Sequence, residues 1–162
     1  MVRWLRGPER RDDPGDELDP IRIFTTELEL SGFVASAGQR VTDLLLRGQD
    51  LAFLPAGAAV APEAWVMVSP ADILLVVPPP LPRAAGWHKD RDLHRVRVKL
   101  PEYEVTGTAH LDPGYKPGAE LTGSQSFLPM TVAEIARDRG ATEALDVVIV
   151  NLGRATRAQV ID

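Results

Sequence analysis

Four side chains with metal-binding chemistry alternate along one short segment of the chain. His88, Asp90, Asp92 and His94 are each two residues apart, so an extended chain would direct all four to the same side. Imidazole and carboxylate groups are ligands for divalent cations. A row of four along one strand is nevertheless too long to converge on a single ion, and basic residues lie between its members. We therefore interpret the segment as a solvated linker and predict no metal site.

Two pairs of glutamates have the spacing that paired carboxylates need for acid/base work. Glu27 with Glu29, and Glu102 with Glu104, are two residues apart in segments with the alternation of strands. Such pairs do chemistry when their surroundings separate their pKa values. Both pairs lie near predicted hairpin turns, where side chains are exposed. We interpret them as solubilising charge on the outer face of half-buried strands.

Two arginines, Arg22 and Arg97, are each flanked by apolar residues on both sides in similar segments. Their side chains should point away from the core, and together they could bind an anionic group or an acidic partner surface. The alternative is that each protects an edge strand or pairs with a cross-strand glutamate such as Glu29 or Glu104. Both arginines are candidate partner-binding residues.

Covalent catalysis finds little support in the sequence. His110 is the one histidine inside a predicted module, and neither a Gly-x-Ser-x-Gly elbow nor a phosphate-binding loop is present. The sequence therefore predicts a protein that is not an enzyme, with no catalytic residues and no cofactor.

Charge and composition limit the function further. The formal net charge is -5, and no segment is strongly basic, which argues against general DNA or RNA binding because that affinity depends on neutralising phosphates. Cysteine is absent, which excludes disulfides and thiolate chemistry. Neither a signal peptide nor an apolar run of membrane-spanning length is recognisable, so we expect a soluble cytoplasmic protein without membrane contact.

The first 20 residues read as a flexible leader, because residues 7–20 are charged and rich in proline and glycine. Trp4 and Leu5 precede this stretch. They are either a short anchor that docks on a partner or simply a frayed end. We keep both as candidate partner-binding residues.

Beyond the leader, two parts of the chain are similar in sequence. Residues 21–34 align without a gap on residues 96–109, and each segment has the alternation of a β-hairpin. Residues 53–55 and 127–129 are both Phe-Leu-Pro, and the apolar run at 65–69 aligns with that at 147–151. Because three blocks recur in the same order, we infer a tandem duplication.

The alignment divides the chain into four parts: a leader (1–20), a first β module (21–77), a proline-rich linker (78–94) and a second β module (95–162). A short helix is expected within residues 39–48, and the second module lacks it at 115–123, where proline and glycine oppose a helix. Residues 130–137 fit either a helix, from the capping-box spacing of Thr131 and Glu134, or a strand followed by a turn at 138–140. We choose the strand. Residues 158–161 are expected to form a closing edge strand that corresponds to residues 73–77.

The chain resembles a family of small uncharacterised bacterial β-rich proteins. That family has a hairpin, an Arg-x-Ser/Thr-Asp-x-Leu helix, a Phe-Ile/Leu-Pro-Leu/Met-Thr strand and a Val-Asn hairpin. The first module keeps the helix motif at residues 40–45, whereas the second keeps the strand motif at 127–131 and Val-Asn at 150–151. The resemblance brings no activity, and it implies a compact barrel or sandwich similar to Sm or SH3-type barrels.

These observations predict a mainly β protein with one or two short helices, built as a tandem pseudo-twofold repeat of small antiparallel β-barrel or sandwich modules. Modules of about 60 residues bury little surface alone and should share a core or oligomerise. We expect a non-enzymatic binding or assembly protein whose strand edges contact a protein partner or another copy of itself. The rival hypothesis is recognition of RNA or a nucleotide-like ligand on a barrel face.

Overall fold

The computed structural model of the protein describes residues 18–36, 39–79, 91–111, 113–114, 121 and 126–162. These residues form one antiparallel sheet of ten strands, with one α-helix and three short 3-10 turns. The prediction of a mainly β fold is confirmed. The elements are β1 (Leu18–Thr25), β2 (Glu29–Ala35), α1 (Val41–Leu46), β3 (Leu51–Pro55), β4 (Val66–Val68), β5 (Ile73–Val77), β6 (Asp92–Leu100), β7 (Tyr103–Leu111), β8 (Phe127–Arg137), β9 (Thr142–Asn151) and β10 (Arg157–Val160).

The strand order in the sheet is β10-β6-β7-β8-β9-β5-β1-β2-β3-β4. We call residues 18–79 the first half and residues 91–162 the second half. Numbered within its own half, each set of five strands has the order fifth, first, second, third, fourth. The halves meet where β9, the fourth strand of the second half, pairs with β5, the fifth strand of the first half. The outer strands of the ten-stranded order are β4 and β10.

The two N-terminal hairpins have the same register. In the first, Ile21 lies opposite Gly32, and in the second Val96 lies opposite Gly107. Alternating apolar residues direct one face of each hairpin into the core, which leaves Arg22 and its neighbours on the other face. The ungapped alignment of residues 21–34 with 96–109 therefore agrees with the pairing geometry.

Both hairpins also need glycine where a third strand packs closely. A Cβ atom on Gly32 would collide with the carbonyl oxygen of Leu54 and with the Phe53 ring. A Cβ atom on Gly107 would lie 3.2 Å from the Cβ atoms of Met130 and Ala133. The backbone approach is thus tight in both halves, and backbone atoms make it tighter in the first.

The apolar core is divided into two clusters, one for each half, and each cluster includes residues from the other half. Phe24, Leu74 and Leu75 of the first half are fully buried in the cluster of the second. Phe127 and Ile149 of the second half are buried in the cluster of the first. Burial of such side chains contributes roughly 1.5–3 kcal/mol each, so the two halves are energetically interdependent.

Several sequence-based expectations match the elements. The predicted helix within residues 39–48 is α1, and the predicted strand at 130–137 is the second part of β8, with a turn following it. The helical alternative for that stretch is wrong because its residues pair with both β7 and β9. The boundaries differ slightly: β1 begins inside the predicted leader, and β6 begins inside the predicted linker.

The Phe-Leu-Pro match is three residues out of structural register. Phe53 lies opposite Val34 on one side and Val66 on the other. In the second half, Ala109 and Val148 are the aligned counterparts of Val34 and Val66. The residue that lies between them is Met130, not Phe127. A β-bulge at Val132, which has a positive φ of 48°, interrupts the second-half register beyond Met130. The shared tripeptide therefore misaligned the third strands, whereas the alignment of 65–69 with 147–151 fits the pairing.

The junction between the halves involves unlike strands, β5 and β9. A closed twofold arrangement would require a second junction of the same kind between β4 and β10, which the ten-strand order lacks. The ten-strand order thus pairs a fourth strand with a fifth strand once, and the pseudo-twofold relation stays a prediction. Duplication itself stays a prediction, and the common strand order is consistent with it.

Candidate protein-interaction site

The junction between β5 and β9 is the contact by which this fold joins one five-stranded unit to another. Leu75 lies opposite Val150, and Val76 lies opposite Ile149. All four side chains are buried, and they alternate between the two core clusters: Leu75 and Val150 pack in the cluster of the second half, and Val76 and Ile149 in that of the first. β5 is therefore buried on both faces, which explains its continuous apolar sequence.

Asn151 fixes the end of this junction. Its side-chain amide donates hydrogen bonds to the carbonyl oxygens of Ile73 (2.8 Å) and Pro70 (3.3 Å), and its own oxygen accepts one from the backbone N–H of Gly153 (3.0 Å). Asn151 is buried, and it is one of the two buried polar residues among those described. It ties the end of β9 to the start of β5, so the Val-Asn motif of the sequence is structural.

A network of four charged side chains bridges the halves beside the junction. Arg22 donates hydrogen bonds to both carboxylate oxygens of Glu143, at 2.5 and 3.0 Å, and also to Glu29 at 2.5 Å. Arg137 donates to the other oxygen of Glu29 at 2.8 Å. Each half supplies one cation and one anion, so the network is balanced in charge.

An aromatic pair lies under this network. The ring of Phe24 meets that of Tyr103 edge to face, with centroids 5.4 Å apart. The guanidinium groups of Arg22 and Arg137 lie 5.1 and 5.9 Å from the centre of the Phe24 ring. These contacts hold the two arginines over an apolar surface that belongs to both halves.

The network shifts the pKa values of Arg22, Glu29 and Glu143. The hydrogen bond to Glu143 raises the pKa of Arg22 above its usual range, although burial opposes this. The same hydrogen bond lowers the pKa of Glu143. Burial disfavours the charged form of Glu29, but hydrogen bonds from Arg22 and Arg137 outweigh it and lower the pKa of that carboxyl. Arg22, Glu29 and Glu143 are therefore charged at neutral pH.

The predicted site residues lie in different surroundings. Arg22 makes the cross-strand ion pair with Glu29 that was the alternative to anion binding, and it binds Glu143 as well. Arg97 lies on the outer face of β6, 3.7 Å from Glu104. It is more exposed than Arg22, at 44% against 28% of the side chain. Trp4 and Leu5 lie outside the described residues, so partner binding by all four stays a prediction.

The His/Asp row is described only in its second part. His88 and Asp90 lie outside the described residues. His94 contacts Asp162, with 2.8 Å between Nδ1 and Oδ2, and Asp92 accepts a hydrogen bond from the backbone N–H of Gly114. Across the described part of the chain, no three His, Cys, Asp or Glu side chains lie close enough to hold a metal ion.

The two outer strands are the feature that the sequence analysis did not single out by residue. β4 contains no charged residue, and two of its side chains, Val66 and Met67, are 45% and 48% exposed. β10 is half-buried, with Ala158 and Val160 packed on the cluster of the second half. Met67 aligns with Ile149, and the structure shows that Ile149 is buried in the cluster of the other half, whereas Met67 is exposed.

Comparisons with protein-family models, with curated proteins and with solved structures gave no match for this chain. The resemblance to a bacterial family, and that to an Sm-like barrel, therefore stay predictions. Within the described ranges, no helix has the length and apolar character required to cross a membrane.

Proposed function

We propose that this chain is a non-enzymatic assembly protein that contacts other protein chains by strand addition at its outer strands. The observation that carries this proposal is the exposed apolar strand β4. Its Val66 and Met67 are about half exposed, and its sequence has none of the charges or prolines by which proteins usually protect an edge strand.

Strand addition suits the chemistry of such an edge. An outer strand presents unpaired backbone N–H and C=O groups on one side, and an added strand satisfies them. Alternate side chains of the added strand would then pack beside Val66 and Met67. Binding of this kind needs no catalytic group and no cofactor.

The tandem arrangement gives a second line of support. If the halves are diverged copies, one β5·β9 junction is already an example of a fourth strand that pairs with a fifth strand. The shared hairpin register and the paired glycines Gly32 and Gly107 support this origin. A fold that joins its own halves through strand edges is suited to join other chains in the same way.

The rival proposal of RNA or nucleotide binding has weaker support. Its candidate residues were Arg22 and Arg97, and Arg22 is neutralised by two carboxylates. The acidic net charge of -5 also disfavours attraction to phosphates. Salt-dependent retention on RNA that is lost in the double variant Arg22→Ala, Arg97→Ala would favour this rival over protein assembly.

The decisive experiment places a charge on the outer strand. Met67→Lys should strongly weaken association, because a buried, unpaired ammonium opposes strand pairing. Leu46→Lys on α1 is the matched control, since Leu46 is also 48% exposed. Association is measured by light scattering of the purified protein and by capture of binding chains from the native lysate, for wild type and both variants.

We expect Met67→Lys to lose at least tenfold in apparent affinity and Leu46→Lys to behave as wild type. A monomer at about 100 µM that captures no chain, or binding that is equal in all three proteins, would contradict the proposal. Circular dichroism of each variant separates loss of association from loss of folding.

A further inference from the structure

The two outer strands occupy the same places in the strand order as the two strands that pair at the junction. β4 is the fourth strand of the first half, as β9 is of the second. β10 is the fifth strand of the second half, as β5 is of the first. Among the described strands, each chain therefore has one further copy of each junction strand, and that copy has a neighbour on one side only.

The pairing registers give the residue equivalences for the fourth strands. Met67 lies opposite Ala52 of β3, and Ile149 lies opposite Pro129 of β8. Ala52 and Pro129 correspond because the residues that follow them, Phe53 and Met130, pair with the aligned hairpin residues Val34 and Ala109. Met67 is therefore the counterpart of Ile149, as the sequence alignment of this block indicated.

The fifth strands correspond in the same way. Val76 lies opposite Ile23 of β1, and Ala158 lies opposite Val98 of β6. Ile23 and Val98 occupy the same position in the two aligned hairpins. Ala158 is therefore the counterpart of Val76, and Arg157 is the counterpart of the preceding residue, Leu75.

We propose that a second copy of this chain binds head to tail, with β4 of one copy paired antiparallel to β10 of the next and Met67 opposite Ala158. This register is that of the junction, where Ile149 lies opposite Val76. The inference rests on the proposed function and names its partner. Arg157 then lies opposite Val68, in the place that Leu75 has opposite Val150, and its guanidinium has to extend past the strand edge to water while its aliphatic stem covers Val68.

The exposure of Met67 and the burial of its counterpart Ile149 agree with this contact. Ile149 is 2% exposed because it packs into the cluster of the neighbouring half, whereas Met67 is 48% exposed. Ala158 packs against the cluster of the second half, so Met67 of an incoming copy would reach that cluster beside a small side chain. A flexible thioether is well suited to fill such a site.

The contact joins unlike surfaces, so it does not stop at two copies. An open assembly of any number of copies has one unpaired β4 at one end and one unpaired β10 at the other. It closes as a ring if the rotation between copies allows this, and otherwise it grows as a filament. A ring and a filament both agree with the proposal. A dimer that pairs β4 with β4 does not.

Disulfide trapping tests the register directly, because the natural chain has no cysteine. The double variant Met67→Cys, Ala158→Cys brings two thiols to directly opposite positions of an antiparallel pair, which lie about 4.5–5.5 Å apart at Cβ. Val66→Cys with Gln159→Cys is a second pair, one step along the strands. Because opposite residues of an antiparallel pair alternate between hydrogen-bonded and non-hydrogen-bonded pairs, the two cysteine pairs sample both kinds. Leu46→Cys with Ala158→Cys is the control of equal exposure.

Under mild oxidation we expect both edge pairs to give a ladder of dimers, trimers and larger species on a non-reducing gel. The control should give at least tenfold less. A mixture of the two single variants, Met67→Cys and Ala158→Cys, should give one covalent heterodimer and stop there. Light scattering of the unoxidised wild type should give a mass above 17.7 kDa.

Three results would overturn the inference. They are efficient cross-linking of Met67→Cys alone, a disulfide within a single chain, and edge pairs no more reactive than the control. If edge pairs fail while Met67→Lys still abolishes capture of another protein, the second copy is excluded and the proposed function stands. If capture and self-association are both absent, both fail.

Discussion

Arg22 and Glu143 are 121 residues apart in the chain, and their side chains form two hydrogen bonds across the boundary between the halves. Glu29 and Arg137 extend this contact to a network with both signs of charge on each side. Since the adjoining strands β5 and β9 share only a short stretch of pairing, the network and the buried side chains beside it fix how one half is oriented on the other.

Removal of one carboxylate should weaken this contact and should also reduce the pH dependence of the protein's stability. The pKa values of Glu143 and Glu29 are lowered in the folded protein. Their contribution to stability is therefore present above the ordinary carboxyl pKa and is lost as the pH falls through the depressed folded value. Because these side chains are about one-third exposed, Glu143→Gln should cost about 0.5–1.5 kcal/mol at pH 7.

The measurement is urea unfolding of wild type and Glu143→Gln between pH 7 and pH 3. The wild type should lose more stability over this range, and the difference between the two proteins should shrink as the pH falls. Glu27→Gln, which changes an exposed glutamate outside the network, is the control. Parallel pH profiles for wild type and Glu143→Gln would contradict the assignment.

Asn151 should be among the most sensitive polar residues of the described part of the chain. Asn151→Ala leaves the carbonyl groups of Pro70 and Ile73 without their donor in a buried place, at a cost of about 2–3 kcal/mol. Asn151→Asp should cost more, because a carboxylate would face two carbonyl oxygens. Unfolding by urea, followed by tryptophan fluorescence, measures both.

Ser69→Ala is the matched control for Asn151, since Ser69 holds the corresponding place after β4 in the alignment. Ser69→Ala should change the free energy of unfolding by less than about 0.5 kcal/mol. Similar costs at Asn151 and Ser69 would show that the Asn151 hydrogen bonds do not anchor the junction.

The sequence predicted the hairpins and the helix because each depends on local periodicity and turn residues. The hairpins at 21–34 and 96–109 share their register to the residue. Phe-Leu-Pro misled the alignment because a tripeptide carries no information on which strands flank it. The bulge at Val132 changes the register within β8, and alternation alone does not reveal it.

The junction was beyond prediction from the sequence for a different reason. Contacts such as Arg22 with Glu143, or Leu75 with Val150, join residues that are distant in the chain. The apolar runs at β5 and β9 indicated burial but not the partner. Arg22 was predicted as an outward-facing residue, which is correct, yet its second carboxylate comes from the other half.

The two hairpin glycines should differ in their tolerance of a methyl group. In Gly32→Ala the new Cβ would meet the Leu54 carbonyl oxygen, and backbone cannot yield cheaply. In Gly107→Ala it would meet side-chain atoms of Met130 and Ala133 at 3.2 Å, which can shift by a few tenths of an ångström. We expect costs of about 3 kcal/mol or more for Gly32→Ala and about 1 kcal/mol for Gly107→Ala.

Each glycine variant is the control for the other, because the two positions occupy the same place in aligned hairpins. Thermal unfolding should show a much larger decrease in Tm for Gly32→Ala. Equal decreases would mean that the third strands approach both hairpins alike, against the packing described above.

Neither half should fold stably when it is made alone. A chain of residues 1–84 lacks Phe127 and Ile149, which complete the first cluster, and a chain of residues 85–162 lacks Phe24, Leu74 and Leu75 from the second. At roughly 1.5–3 kcal/mol for each buried apolar side chain, the loss is comparable with the whole stability of a small domain, about 5–15 kcal/mol. Co-expression of the two pieces should restore a folded complex through the β5·β9 junction, while each piece alone should give poorly dispersed amide spectra. Two independently stable halves would show instead that the shared core contributes little, and would weaken the case that this fold depends on strand-edge contacts between its units.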